Sequence, residues 1–287
     1  MQNRLKEVDG LVSAHLENVL LPFGVGPIAQ AMRYATCGGK RIRAMLVMES
    51  ARLHGIPDAQ AIWPACAIEA MHSYSLVHDD LPCMDDDGLR RGQPTVHVKW
   101  DEATAVLTGD ALQSFAFELT SHPDVGSLMA RADLCLRLAR AAGGQGMVLG
   151  QAMDIAAETT DEPLSLEQIT TLQAGKTGAL IEWSATSGAV LAGADAASLR
   201  NYAGALGLAF QIQDDVIDVT GDANTAGKAV GKDEAAGKAT FVSLLGLDGA
   251  KRRAESLVDE ACDALSIYGK DANTLQQAAR FVIARQT

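Results

Sequence analysis

A basic surplus is the first thing this 287-residue chain lacks: 24 lysines and arginines stand against 36 aspartates and glutamates, for a net charge of −12. Nucleic-acid binders carry a basic excess or stripe, so no nucleic-acid partner is expected. Any anion must be held locally, by clustered cations or a bridging metal. Aromatic residues are scarce at 5%, and long β-branched runs are few, whereas alanine, leucine and methionine abound. That balance favours helices over strands, and no stretch shows convincing strand alternation. The five cysteines, Cys37, Cys66, Cys83, Cys135 and Cys262, are scattered and form no Cys-x-x-Cys pair. Such spacing argues against a disulfide framework or a zinc site and for small core residues in a reducing compartment. No uncharged apolar run reaches the roughly 20 residues of a membrane span, and the charged start, Met1 to Asp9, is unlike a signal peptide. A soluble, cytoplasmic protein is expected.

What the chain does have is apolar bulk. Hydrophobic residues make up 48%, and a chain this long buries roughly 75% of its unfolded surface. No linker or fixed-period repeat divides it, so one all-α domain spanning 1–287 is expected. Helical periodicity runs over 3–20 and resumes near Ile28 after Pro22, Gly24, Gly26 and Pro27. It continues over 41–53, 59–79, 100–120, 127–141, 143–157, 165–192, 196–220, 238–246 and 249–267. Ser165 and Gln168 have the form of a capping box. Residues 220–239, with four glycines and three lysines, read as a loop beside a site.

Two acidic clusters stand out. The first is Asp79-Asp80-Leu81-Pro82-Cys83-Met84-Asp85, followed by Asp86 and Asp87; the second is Asp214-Asp215-Val216-Ile217-Asp218. On a helix Asp214 and Asp218 lie one turn apart on one face, with Gln211 beside them. Two carboxylates so placed repel each other unless solvent or a cation relieves them. Magnesium takes a few carboxylates and completes its shell with water and phosphate oxygens. Either cluster alone also fits a solvated acidic helix face. The apolar flanks, Leu76 and Val77 for the first and Leu208, Phe210 and Ile212 for the second, weaken that reading.

Basic residues form a second set. Gly38-Gly39-Lys40-Arg41-Ile42-Arg43 puts Lys40 and Arg43 three apart at an expected helix start, a favourable place for an anion. Arg90-Arg91 follows the first aspartates, and guanidinium forks suit phosphate. His72 lies two turns before Asp79 on the same face, as a core residue or as a donor to a diphosphate oxygen. Lys176-Thr177 and the lysines Lys228, Lys232 and Lys238 add candidate ligands, although loop lysines are commonly just solvated. No Ser/His/Asp or Cys/His arrangement demands a protein nucleophile.

The run from His72 through Asp79-Asp80 to Arg90-Arg91-Gly92 resembles the first aspartate-rich motif of the trans-prenyl diphosphate synthases, in particular their bacterial farnesyl diphosphate synthase branch. Gly109-Asp110-Ala111-Leu112, Gly150-Gln151-Ala152-Met153-Asp154, Lys176-Thr177-Gly178 and Phe210-Gln211-Ile212-Gln213-Asp214-Asp215 are similar to further blocks of that family, in the same order. The resemblance implies an isoprenoid synthase helical bundle around a central cavity, and a homodimer. It implies a catalytic set of Asp79, Asp80, Asp85, Asp214 and Lys176. Magnesium, three ions with substrate bound, would be held by Asp79 and Asp85 on one wall and by Asp214 with Asp218 on the facing wall, Asp215 supporting. Arg90, Lys176, Thr177, Gln211, Lys228 and Lys238 would complete the allylic diphosphate site. Lys40, Arg43, His72 and Arg91 would bind isopentenyl diphosphate.

Product length in that family depends on residues just before the first aspartate, here Tyr74 and Ser75. A tyrosine there, with Pro82-Cys83 inserted between the aspartates, resembles the branch that stops at fifteen carbons. The expected reaction joins isopentenyl diphosphate to dimethylallyl or geranyl diphosphate to give farnesyl diphosphate. A geranyl or geranylgeranyl diphosphate synthase is the nearest alternative. A class I terpene cyclase would usually carry one aspartate motif rather than two, and a non-catalytic subunit would have lost metal aspartates that this chain keeps.

Overall fold

The computed structural model describes residues 1–157, 163–220 and 239–284. They divide into two compact units, Met1–Leu136 with Ser187–Ala194, and Arg137–Thr186 with Asp195–Thr287. Among the described residues no helix is long and apolar enough to cross a membrane.

In the first unit α1 spans Gln2–Leu20, α2 Pro27–Thr36, α3 Ile42–Leu53 and α4 Asp58–Asp79. Two further helices follow, α5 over Val96–Lys99 and α6 over Glu102–Ser121. Pro27 opens α2 at the position where its missing N–H costs nothing. Asp101 starts α6 by accepting the Thr104 N–H at 2.6 Å. The central element is α4, which packs against both α3 and α6. Its long run Pro64–Met71, with Ser73, Tyr74 and Val77, is buried, as a helix apolar on all sides must be.

Leu89–Arg90 (β1) and Gln93–Pro94 (β2) pair antiparallel, Leu89 opposite Pro94 and Arg90 opposite Gln93. Arg91 and Gly92 make the two-residue turn, both at positive φ, 53° and 74°, as a tight hairpin requires. Strands of two residues are too short for alternation to reveal.

The second unit holds α8 (Met147–Ala157), α9 (Leu166–Gln173) and α11 (Ala197–Thr220). α7 covers Leu128–Ala142 and α10 Ala179–Ala192. Later helices span Phe241–Leu245, Leu247–Ala264 and Asn273–Ala284; the sequence periodicity did not reveal the last. α11 packs along Leu247–Ala264, and its buried Tyr202 donates to the Leu275 carbonyl at 2.9 Å. α8 starts four residues later than expected because Gly143, Gly144 and Gly146 resist helix. The Ser165–Gln168 capping box is present in both directions, 2.8 and 3.3 Å. The expected continuous helix over 165–192 is instead interrupted by a π turn at Ala174–Gly178, a widening often found at functional sites. Of the expected loop 220–239, residues 221–238 lie outside the described residues, and with them Lys228, Lys232 and Lys238.

Candidate active site

In the first unit α4 delivers His72, Tyr74, Ser75 and Asp79 and stops at Asp79, with Asp80 as its cap. The chain then doubles back. The Asp85 N–H donates to the Asp79 carbonyl at 2.8 Å, and Asp86, at φ 50°, donates its N–H to the Leu81 carbonyl at 3.2 Å. Asp85 is thereby returned to the end of α4 with its side chain exposed, beside a half-buried Asp79. Asp80 has a different fate. It is buried and accepts from Arg90 Nε at 2.6 Å and from Arg90 Nη2, while Arg90 Nη2 also reaches Asp87 at 3.4 Å. Burial pushes the Asp80 carboxyl above its usual range, and the Arg90 contacts pull against that shift. For Arg90 burial lowers the pKa, but Asp80 outweighs it and the guanidinium is raised. Asp80 thus positions Arg90, while Asp85 is exposed and Asp79 half-buried.

Beside this pair lies a cavity of about 290 Å³, lined by Tyr34, Gly38, Gly39, Val77, Asp80 and Arg91 among others. Gly39 is at φ 97°, and a Cβ there would sit 2.9 Å from Arg91 Nη2. The guanidinium lies on bare backbone, donating from Nη1 to the Cys37 carbonyl at 3.0 Å. The expectation that Lys40 and Arg43 share one face at a helix start fails: α3 starts at Ile42, and Arg41 before it is left-handed, at φ 51°. Lys40 is exposed ahead of the helix, so it shares no helix face with Arg43. Arg43 Nε is buried without a hydrogen-bond partner. Burial, and after it Arg43, Arg91, Arg90 and Arg41, hold the His72 imidazole well below its usual pKa. The ring is therefore neutral at pH 7, surrounded by cations. Tyr74 and Ser75 do not line this cavity. Tyr74 is buried against His78, ring centroids 5.1 Å apart, and burial raises its hydroxyl pKa above the ordinary value.

In the second unit the π turn presents Lys176 and Thr177. Lys176 Nζ donates to Asp154 Oδ2 at 2.6 Å, and Thr177 Oγ1 donates to Gln211 Oε1 at 3.3 Å. The backbone of α8 meets this turn at Gly150, where a Cβ would collide with the Lys176 backbone nitrogen. On α11 Asp214 is exposed and Asp218 half-buried. Asp215 accepts the Phe241 N–H at 2.6 Å, capping the helix that follows residues 221–238.

A family model described as polyprenyl synthetase matches residues 26–279. The chain belongs to the polyprenyl synthetase family. It is 44% identical to the farnesyl diphosphate synthase of Haemophilus influenzae, over 91% of this chain and 90% of that protein. It is also 44% identical to that of Escherichia coli, over 92% and 91%. A crystal structure of an FPP/GFPP synthase from Zymomonas mobilis superposes with a TM-score of 0.89 at 42% identity, covering 98% of this chain and all of that one. The chain is accordingly a prenyltransferase enzyme with the all-α isoprenoid synthase fold.

The donor chemistry of this polyprenyl synthetase fits magnesium. Asp79 and Asp85 in the first unit, and Asp214 and Asp218 in the second, are hard carboxylate oxygens near solvent. Among the described residues no three His, Cys, Asp or Glu side chains converge into a cage. One or two carboxylates at a time is the arrangement magnesium accepts when phosphate oxygens and water complete its shell. Sequence reasoning missed three residues that position others. Asp154 holds Lys176, Glu69 holds Arg41, and Arg41 itself is buried. The available signal for Glu69 was a lone charge within the apolar run Pro64–Met71.

Proposed function

We propose that this enzyme joins isopentenyl diphosphate head to tail to dimethylallyl or geranyl diphosphate and releases farnesyl diphosphate. The observation that carries the reading is the glycine-floored cationic cavity of the first unit, where Arg91 lies on Gly39 and Arg90 is fixed by Asp80. Such a cavity accepts an anion through guanidinium forks and bare backbone. Lys40, Arg43, His72 and Arg91 bind the diphosphate of isopentenyl diphosphate, the neutral His72 ring acting as a donor. Arg90, Lys176, Thr177 and Gln211, with Lys228 and Lys238, bind the allylic diphosphate. Asp79 and Asp85, with Asp214 and Asp218, would hold magnesium, three ions with substrate bound. Magnesium, when bound, supplies neutralisation of the charge that develops on the departing diphosphate.

The chain's own residues do the rest. Arginines and Lys176 stabilise the leaving anion from fixed positions. The allylic carbon–oxygen bond breaks, and the isopentenyl double bond forms the new carbon–carbon bond. A proton then leaves for the released diphosphate, so no protein nucleophile is needed. Tyr74 and Ser75 set the chain length. The chain acts as one domain over 1–287, in a cytoplasmic homodimer.

A second reading, a longer product, is favoured by the FPP/GFPP description of the Zymomonas structure. Product analysis with labelled isopentenyl diphosphate separates the two. A dominant fifteen-carbon product supports farnesyl diphosphate synthesis, and a dominant longer one replaces it with the second reading.

A further inference from the structure

We infer that Glu69 is a positioning residue for the isopentenyl diphosphate pocket, acting through Arg41; the inference rests on the substrate reading above. Arg41 is 3% exposed, although its charge is permanent. Its backbone is held at φ 51°, a conformation that residues other than glycine rarely take. Strain of this kind persists only where the surroundings over-determine it, and here they do. The guanidinium donates to the Thr36 carbonyl at 2.8 Å, Asp9 Oδ1 at 3.1 Å, Glu69 Oε2 at 3.2 Å and Ser13 Oγ at 3.5 Å.

The other Glu69 oxygen accepts the Ala44 N–H at 3.0 Å. Ala44 is the third residue of α3, whose own N-cap side chain makes no capping bond. One buried carboxylate on α4 therefore caps α3 and anchors Arg41 together. Thr36 and Arg41 are the two ends of Cys37-Gly38-Gly39-Lys40. The Arg41–Thr36 bond closes that strip into a loop, the loop on which Arg91 rests.

Charge gives Glu69 a second task. Arg41, Arg43, Arg90 and Arg91 all bear on His72, and buried like charges disfavour one another. Glu69 favours the charged state of both Arg43 and Arg91. It is a resident counter-charge that keeps the arginines gathered before a diphosphate arrives, so the pocket is preorganised rather than assembled on binding.

Steady-state kinetics of Glu69→Gln tests this. The amide oxygen can still accept from Ala44, but the amide NH₂ confronts the Arg41 donors. KM for isopentenyl diphosphate is expected to rise about tenfold or more, with kcat and the allylic KM changing less than about threefold. Glu69→Asp, which keeps the charge, should recover part of the loss. General destabilisation would move both KM values alike, and that outcome, or an unchanged isopentenyl KM, overturns the inference. Should Glu69→Gln not fold, Asp9→Asn loosens Arg41 from the solvent side; an isopentenyl KM raised about twofold or more supports the anchor, and an unmoved one overturns it. A wild-type enzyme that makes no prenyl product refutes the substrate reading instead, which the wild-type arm detects separately.

Discussion

Lys176 Nζ and Asp154 Oδ2 are 2.6 Å apart, joining the π turn to α8. A lysine on a flexible four-carbon stem is a movable point charge, and this contact fixes where it sits. Asp154→Asn keeps the shape and removes the charge. It is expected to lower kcat about tenfold or more through misplacement of Lys176. Steady-state rates at saturating substrates check this; a wild-type kcat would remove Asp154 from the mechanism.

Gly150 is expected to tolerate no side chain. In an ordinary helix Gly→Ala gains up to about 1 kcal/mol. At Gly150 the new methyl meets the Lys176 backbone, and overpacking costs about 1–3 kcal/mol, so the collision wins. Gly204, in α11 with nothing within 4 Å of its would-be Cβ, is the control. Urea denaturation should show Gly150→Ala destabilised and Gly204→Ala stabilised. Equal effects of the two would mean that the π turn is not seated on α8.

His72 gives a pH signature. Its folded pKa lies well below the ordinary value, so below about pH 6.5 the unfolded chain takes up a proton that the folded one refuses. Stability is then lost as pH falls through that window, by up to about 1.4 kcal/mol per pH unit. His72→Asn removes this contribution. The stability difference between wild type and variant should shift against wild type from pH 7 to pH 5. A constant difference would show that His72 is not held neutral by burial and the arginines around it.

Tyr74 should control product length. It is buried with its ring against His78. Tyr74→Ala opens space there, at a stability cost of about 3–5 kcal/mol if the cavity persists. Chromatography of dephosphorylated products should show longer chains; an unchanged profile would clear Tyr74 of the role.

Much of this was legible in the sequence, for identifiable reasons. α4 shows because an apolar helix ending in Asp79 and Pro82 has a distinct start, period and stop, and the Ser165–Gln168 cap is a local bond. The π turn at 174–178 was hidden because one widened turn leaves apolar periodicity almost intact. The hairpin at 89–94 has two residues per strand, too few for a pattern. The sequence suggests a shared face for Lys40 and Arg43 because nothing local marks Arg41 as left-handed. That conformation is held by Thr36, Asp9 and by Glu69, 28 residues away. The Lys176–Asp154 pair, 22 residues apart, is likewise a product of packing and invisible to spacing.

The central claim is that aspartates of both clusters serve magnesium-dependent prenyl transfer. The most direct measurement is diphosphate release from geranyl and isopentenyl diphosphate by purified enzyme, with magnesium and with excess chelator, for wild type, Asp79→Ala and Asp214→Ala. Release with magnesium, its abolition by chelator, and a loss of at least about a hundredfold in each variant are expected. Chelator-resistant release, or near-wild-type turnover in either variant, would contradict the account.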